Sequence, residues 1–295
     1  MSDKKAYKTV LALGYFDGVH SGHKAVIERA VAEAEKIGGK AVIVTFSGNL
    51  RAKFLKGEKS IFTLNERREI FSENFPSAEV FFAPISSDFL SKTGDEFLEY
   101  LDKKFDVSGY VSGEDYKFGS DGKTAEYLLK KANEKGRFLR IVQTVNIDGN
   151  KISATYLKTL LSSGEIFAAN KLILGGYFVS GKVENGRKVG RKLGFPTINI
   201  KIPSDKTPLK RGVYSGRVAT DGKEYKAVVN YGDKPTFGIE TESIEAFCVD
   251  YSGDLYGKTV RIYFDEYLRE IKKFDTQEDL ADQIRKDIEK AKKIK

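Results

Sequence analysis

A chain of 295 residues is longer than one typical domain and shorter than three, so we expect two domains. Its 40% hydrophobic and 31% charged residues allow a buried core and exclude a disordered polyelectrolyte, and no apolar run reaches the roughly 20 residues that cross a bilayer. Because 50 basic residues are interleaved with 42 acidic ones, the net charge of +8 favours anionic small substrates, with no nucleic acid and no membrane as partner.

Short apolar runs alternate with amphipathic segments through the first half of the chain. Helices are predicted between strands, over residues 23–37, 64–75, 94–105 and 123–135. The apolar runs predict buried strands over residues 9–16, 40–46, 79–85, 107–113 and 137–143. This alternation is typical of an α/β fold in which helices cover a parallel sheet, so we predict a doubly wound nucleotide-binding domain.

After about residue 155 the pattern changes. Two short helices separated by Gly164 are predicted first, followed by short strands rich in valine, tyrosine, isoleucine and phenylalanine. Glycines recur among these strands about every 8–12 residues, which predicts a small antiparallel β-barrel. A final helix over 276–293 is predicted, with Thr276 as its N-cap and Asp279 at the capping-box position.

The cysteine content and the start of the chain both bear on location. The single cysteine, Cys248, has no partner for an internal disulfide, which fits a reducing compartment. The chain passes from charged residues straight into a strand-like run, without the cleavage-type segment of a signal peptide. We therefore expect a cytoplasmic protein.

The segment GYFDGVHSGH (14–23) joins a predicted strand to a predicted helix. Both histidines of the chain, His20 and His23, lie in it, three residues apart. The free N–H groups at a helix N-terminus suit a phosphate, and the neighbouring glycines let an anion approach the backbone. Imidazoles at this junction could stabilise the charge of a pentavalent transition state, and a pair of surface histidines that cap the helix is the alternative.

A second segment, GKVENGRKVGRKLGFPTINI (181–200), combines glycines and basic residues with a strand-like end. The glycines would let the loop fold over a polyphosphate, although such a segment on its own is more often an exposed turn. Thr197 and Asn199 lie two apart on the predicted strand and therefore face the same side. Their hydroxyl and amide oxygens are ligands that Mg²⁺ accepts.

Several motifs together resemble one enzyme family. The 14–23 segment resembles the H-x-G-H signature of the nucleotidyltransferase superfamily, in the form found in bacterial bifunctional riboflavin kinase and FAD synthetase enzymes. Further motifs of that family resemble GEDYKFG (113–119), KISATYLKTLLSSGEIFAAN (151–170), GRKLGFPTIN (190–199), NYGDKPTFG (230–238), IEAFCVDYSGDLYG (244–257) and the tail that contains Arg269 and Phe274. The resemblance runs from about residue 8 to the end of the chain.

The resemblance implies a Rossmann-like FMN adenylyltransferase domain over 1–165 and a flavokinase barrel, a riboflavin kinase domain, over 172–295 with a C-terminal helix. The second domain would phosphorylate riboflavin to FMN, and the first would adenylylate FMN to FAD with release of pyrophosphate. ATP would be the co-substrate of both steps and Mg²⁺ the cofactor.

The resemblance also implies roles for individual residues. Catalysis would fall to His20, His23 and Glu245, the last as the general base. ATP and phosphate binding would fall to Gly14, Phe16, Asp17, Ser153, Thr155, Lys158, Gly181, Gly190 and Arg191, flavin binding to Asp115, Asn230 and Arg269, and Mg²⁺ binding to Thr197 and Asn199.

The chain departs from the family pattern in its first domain. Lys117 and Lys158 stand where the family has arginine, and Ala154 replaces a serine. The usual P-H-P after the second strand is absent, with Gly48 and Asn49 in that place. A monofunctional riboflavin kinase with a degenerate, regulatory first domain is therefore an alternative, and a non-catalytic flavin- or nucleic-acid-binding protein is a third. The oligomeric state is left open.

Overall fold

A computed structural model describes residues 7–55, 57–144, 146–147, 149–184, 194–236, 239–251 and 253–294. Contacts divide the chain into two compact units, Met1–Ala154 and Thr155–Lys295. The division falls eleven residues before the predicted end of the first domain at residue 165, because the helix that begins at Ala154 packs with the second unit. None of the described helices is long and apolar enough to cross a membrane.

The first unit is a parallel sheet with helices between its strands. Its helices are α1 (Ser21–Lys36), α2 (Leu50–Phe54), α3 (Leu64–Asn74), α4 (Ser87–Leu90), α5 (Gly94–Lys104) and α6 (Ala125–Glu134). Its strands are β1 (Lys8–Leu13), β2 (Lys40–Phe46), β3 (Glu79–Ala83), β4 (Asp106–Gly113), β5 (Lys117–Phe118), β6 (Lys123–Thr124), β7 (Phe138–Val142), β8 (Asn146–Ile147) and β9 (Asn150–Lys151).

Five of these strands form one sheet in the order β3-β2-β1-β4-β7, and every neighbouring pair is parallel. The predicted doubly wound fold is therefore confirmed. The central strands β1 and β2 are aliphatic runs buried on both faces, as a sheet covered by helices requires. Because the strands are parallel, their carboxyl ends meet at one edge of the sheet, where ligands bind in folds of this kind.

The second unit begins with two short helices and continues as an antiparallel sheet. Its elements are α7 (Ala154–Ser163), α8 (Ile166–Leu172), β10 (Phe178–Lys182), β11 (Thr197–Lys201), β12 (Gly212–Thr220), β13 (Lys223–Thr236), β14 (Ile239–Cys248), β15 (Thr259–Arg269) and α9 (Gln277–Lys293). The strand order is β10-β15-β12-β13-β14-β11. A bridge between Glu184 and Asn199 joins the two edges, so the sheet closes almost completely and the predicted barrel is confirmed.

The C-terminal helix α9 covers one side of the barrel. Thr276 is its N-cap, as predicted, and its hydroxyl accepts a hydrogen bond from the backbone N–H of Asp279 at 3.1 Å. Ile288 and Ala291 of the helix are buried in a cluster with Val213 and Val228 of the barrel. The helix is therefore fixed to the barrel both by its cap and by its apolar face.

The register of the barrel aligns polar residues from several strands. Asn199 on β11 lies opposite Glu245 on β14, which in turn lies opposite Asn230 on β13. Val213 on β12 continues the row, since it pairs with both Asn230 and Arg269 on β15. Directly opposed residues project to the same face of a sheet, so this row brings together residues that lie far apart in sequence.

Candidate active sites

A cavity of about 640 Å³, here called the first cavity, opens at the carboxyl edge of the parallel sheet. The ends of β1, β2, β4 and β7 reach it through Leu13, Phe46, Gly113 and Val142. Seven of the residues predicted for the adenylylation site line it: Gly14, Phe16, Asp17, His20, His23, Asp115 and Ser153.

The two histidines stand face to face at the start of α1. His20 is the N-cap, and its Nδ1 accepts a hydrogen bond from the backbone N–H of His23 at 3.3 Å. The two rings are stacked with centroids 3.6 Å apart. Because Nδ1 of His20 is the acceptor, a neutral His20 carries its proton on Nε2 and is a hydrogen-bond donor there.

Burial keeps both imidazoles neutral at pH 7. Burial lowers the pKa of His20 to about 4, although the nearby Asp115 carboxylate acts in the opposite direction. The pKa of His23 is lowered well below the ordinary histidine value, first by burial and then by the charges of His20 and Arg67. The pair can therefore donate hydrogen bonds to an anion without carrying a charge before the anion arrives.

Phe16 packs against His23, and Gly14 leaves the space that the Phe16 ring occupies. Phe16 is 1% exposed and has a φ of +55°, a conformation that is uncommon for a bulky residue. Its ring meets the His23 ring edge-on, with centroids 5.2 Å apart. A Cβ atom at Gly14 would lie 2.7 Å from the Phe16 ring, so only glycine fits at position 14 without displacing that ring.

Asp17 and Arg67 fix the loops around the first cavity. The buried Asp17 carboxylate accepts a hydrogen bond from the backbone N–H of Ile61 at 2.9 Å. Arg67, on α3, is 1% exposed and donates to the carbonyl oxygens of Tyr15 and Phe46 at 3.2 and 2.9 Å. It thereby ties together the segments that follow β1 and end β2. Arg67 was not predicted as a site residue, since nothing in the α3 sequence pattern distinguishes a buried arginine from a solvated one.

The polar rim of the first cavity differs from the predicted set. Lys151 forms an ion pair with Asp115, with Nζ and Oδ2 2.8 Å apart, and both residues line the cavity together with Lys117. Lys151 was not among the predicted site residues, although it is the first residue of the 151–170 segment, because the resemblance assigned roles only to Ser153, Thr155 and Lys158 of that segment. Thr155 and Lys158 lie on α7 in the second unit, and the described wall of the first cavity does not include them.

A cavity of about 210 Å³, here called the second cavity, lies in the second unit. Four predicted site residues line it: Thr197, Asn230, Glu245 and Arg269. The strand register explains this gathering, because three of them belong to the cross-strand row and Thr197 lies two residues before Asn199 on β11. Three aromatic side chains, Phe195, Phe247 and Phe274, also line it, together with Leu280, Ile284 and Asp287 of α9.

Glu245 on β14 and Thr197 and Asn199 on β11 carry the side-chain oxygen atoms of this part of the barrel. The Thr197 hydroxyl donates to Oε1 of Glu245 at 2.6 Å, so the lone pairs of that hydroxyl stay free to face a cation. Asn199 is buried, and its Oδ1 has no hydrogen-bond partner among the described residues. The described wall of the second cavity includes Thr197 but not Asn199. The two residues lie two apart on β11, and an amide oxygen and a hydroxyl oxygen on one strand face fit the ligand preference of Mg²⁺.

Arg269 lies in the wall of the second cavity and is held by the C-terminal helix. Its Nε is 3.0 and 3.1 Å from the two carboxylate oxygens of Asp287, and its Nη2 is 2.7 Å from Oδ2. Gln283 donates to the same carboxylate at 3.0 Å. Asp287 was missed by the sequence analysis, although its position four residues after Gln283 places both on one helix face.

Of the three phosphate-binding residues predicted for the second domain, the structure describes one, Gly181. Gly181 lies on β10 outside the cavity wall, and a Cβ atom there would lie 3.0 Å from Cβ of Ile200. Close packing of two strands therefore accounts for this glycine without any ligand. Gly190 and Arg191 lie outside the described residues.

Comparisons with known proteins agree with the division of the chain into two units. The FAD synthetase family model matches residues 2–156, and the riboflavin kinase family model matches residues 175–295. A bifunctional riboflavin kinase/FMN adenylyltransferase from Bacillus subtilis (strain 168) is 30% identical over 289 residues, which cover 96% of this chain and 92% of the relative. The enzyme of the same name from Haemophilus influenzae is 30% identical over 286 residues, with coverage of 96% and 92%.

A solved structure is similar over almost the whole chain. The crystal structure of a macrolide-efflux protein from Streptococcus pneumoniae matches with a TM-score of 0.88 and 30% sequence identity, and covers 98% of this chain and 95% of that one. The efflux description belongs to that protein, since both matched family models describe flavin-nucleotide enzymes.

Proposed function

Since the chain belongs to the family of bifunctional riboflavin kinase/FMN adenylyltransferases, we propose that it converts riboflavin to FMN and FMN to FAD, with ATP as co-substrate of both steps. It is a transferase that acts on small molecules. The observation that carries this conclusion is the correspondence of sites and families: the first cavity lies within residues 2–156 and the second within residues 175–295.

The two alternatives fit the comparisons less well. A monofunctional riboflavin kinase with a degenerate first domain does not account for a FAD synthetase match over residues 2–156 or for relatives named for both activities. A non-catalytic binding protein fails because both matched families are enzymes.

The adenylyltransferase step needs positioning and charge stabilisation, because the attacking FMN phosphate is already an anion. His20 and His23 would donate from their imidazole N–H groups to the reacting phosphate of ATP, beside the free N–H groups at the start of α1. Gly14, Phe16 and Asp17 would hold this segment in place. Ser153 and Asp115 line the first cavity, and we assign them to the ATP phosphates and to the flavin. By motif position alone we also assign Thr155 and Lys158 to the ATP phosphates.

The kinase step needs a base, because the riboflavin 5′-hydroxyl loses a proton as it attacks the γ-phosphoryl group. We propose Glu245 for this role. One of its carboxylate oxygens is fixed by the Thr197 hydroxyl, which leaves the other to accept the proton. Asn230 and Arg269, which line the same cavity, would bind the flavin, and Gly181, Gly190 and Arg191 stay proposals for ATP.

Two ATP-using transferase reactions imply a divalent cation. We propose that it is Mg²⁺ in the kinase domain and that Thr197 and Asn199 hold it, supported by the unpartnered amide oxygen of Asn199. When bound, the cation would neutralise charge on the transferred phosphate. We also propose a cytoplasmic location, supported by the single cysteine, Cys248, which has no partner for an internal disulfide.

The two steps can be tested separately in the full-length chain. With riboflavin, ATP and Mg²⁺, chromatography should reveal both FMN and FAD. His23→Ala should abolish FAD formation and leave FMN formation unchanged, whereas Glu245→Gln should abolish FMN formation and still yield FAD from supplied FMN, because the two residues line different cavities. Loss of both steps in either variant would contradict this assignment, and absence of both products in the wild type would contradict the function.

A further inference from the structure

The hydrogen bonds of Arg269 use part of its guanidinium and leave part of it available. A guanidinium has five N–H groups. Nε and one N–H of Nη2 point to Asp287, and one N–H of Nη1 donates to the Glu270 carbonyl at 2.9 Å. Among the described residues, the remaining N–H of Nη1 and the remaining N–H of Nη2 have no acceptor, and they lie on a side chain that lines the second cavity.

The orientation of this guanidinium is fixed from several directions. Asp287 meets the edge of the group that carries Nε and Nη2, and Gln283 holds the carboxylate in turn. The Phe274 ring lies 5.9 Å from the guanidinium carbon, and it is also part of the cavity wall. Because Asp287 binds one edge of the planar Arg269 guanidinium and the Phe274 ring lies beside it, the direction of its opposite edge is fixed.

The burial of Asp287 favours a role beyond fastening the helix. Asp287 is 1% exposed, and a buried carboxylate is costly to keep unless it is paired. Replacing a buried ion pair by apolar residues of similar volume is often neutral or stabilising, so attachment of α9 does not by itself call for one. The apolar contacts of Ile288 and Ala291 already attach the helix to the barrel.

We propose that Asp287 is a positioning residue of the kinase site, which holds Arg269 so that its two uncommitted N–H groups face the flavin. This inference rests on the proposed riboflavin kinase activity. The ligand chemistry is that of a hydrogen-bond acceptor, such as a carbonyl oxygen of the flavin ring system. The C-terminal helix then contributes to substrate binding through Arg269, in addition to the three of its own residues that line the second cavity, Leu280, Ile284 and Asp287.

A double-mutant cycle in the full-length chain tests the proposal, with initial rates of FMN formation at varied riboflavin and ATP. Asp287→Asn keeps the shape of the side chain but removes its charge, and we expect the KM for riboflavin to rise about tenfold while kcat and the KM for ATP change by less than about threefold. Arg269→Gln should raise the same constant at least as much. In the Arg269→Gln background, Asp287→Asn should add less than about twofold, because its effect passes through Arg269.

Two further variants control for structure. Asp282→Asn removes an exposed carboxylate of the same helix that pairs with Arg285, and it should leave all constants unchanged. Gln283→Ala removes one hydrogen bond to Asp287, and it should give a smaller rise in the KM for riboflavin. If Asp287→Asn does not fold, Gln283→Ala takes its place in the double-mutant cycle.

The outcomes are distinct. Full additivity of the two substitutions, or a fall in kcat with an unchanged KM for riboflavin, would overturn the positioning role. Absence of FMN formation by the wild-type chain would instead overturn the proposed function itself.

Discussion

The two histidines at the start of α1 make the stability of the first unit depend on pH. The pKa of His20 is lowered to about 4 in the folded chain, and that of His23 is lowered as well, whereas an unfolded histidine has a pKa of about 6.5. The unfolded state therefore binds more protons below that value. Stability present above about pH 6.5 should be lost as the pH falls towards about 4, and His20 alone accounts for about 3 kcal/mol over this range.

Thermal unfolding between about pH 7.5 and about pH 4.5 measures this effect. The second unit contains no histidine and serves as the internal comparison, since both histidines of the chain lie in the first. His20→Asn keeps a residue type that caps helices well and should flatten part of the pH dependence. An equal loss of stability in both units, or an unchanged slope in His20→Asn, would contradict the assignment.

Residue by residue, motifs were good guides where the chemistry is local. The histidine motif predicted the helix N-terminus and the wall of the first cavity, because neighbouring residues in one loop determine both. Arg67 and Asp287 could not be found in this way. Each is a charged residue in an amphipathic helix, and only the packing of that helix against a sheet shows that its side chain is buried and hydrogen-bonded.

At the level of elements, the strands of the parallel sheet were the most predictable part of the fold, although β3 and β7 at its edges are less buried than predicted. The predicted strand over 40–46 agrees with β2 to the residue, because a continuous aliphatic run bounded by a glycine turn leaves little choice of limits. The predicted strand over 9–16 ends three residues early, at Leu13, since the chain then turns through the positive φ of Phe16. The cross-strand row of the barrel was beyond sequence, because register depends on pairings between distant segments.

We predict that loss of the N-cap of α9 affects both the stability of the second unit and the binding of riboflavin. Thr276→Ala removes the hydroxyl that accepts from the Asp279 N–H, which should destabilise the second unit by about 1 kcal/mol. Because the same helix carries Asp287, the KM for riboflavin should also rise, while FAD formation from supplied FMN stays unchanged. Chemical denaturation and the two rate assays measure these effects.

A matched substitution in the other unit provides the control. Thr63→Ala removes the corresponding hydroxyl from the N-cap of α3 and should destabilise the first unit without affecting the KM for riboflavin. If Thr276→Ala weakens the second unit but leaves riboflavin binding intact, fraying at the start of α9 does not reach Asp287.

In the molecule as a whole, each cavity is lined by residues of its own unit. We predict that FMN made in the second cavity reaches the first through solution. FMN made by one chain should therefore be usable by the adenylyltransferase site of another chain. This expectation concerns the chain rather than any one residue.

Mixing two variants tests it. Given riboflavin, ATP and Mg²⁺, His23→Ala alone should stop at FMN and Glu245→Gln alone should make neither product. Together they should make FAD after a lag, because FMN released by one chain accumulates before the other captures it, and a higher concentration of Glu245→Gln should raise the FAD rate once FMN has built up. Direct transfer within one chain would instead benefit from a high effective concentration that the mixture lacks. If the wild-type chain forms FAD without a lag, at site concentrations where the mixture shows one, transfer of FMN through solution would be contradicted.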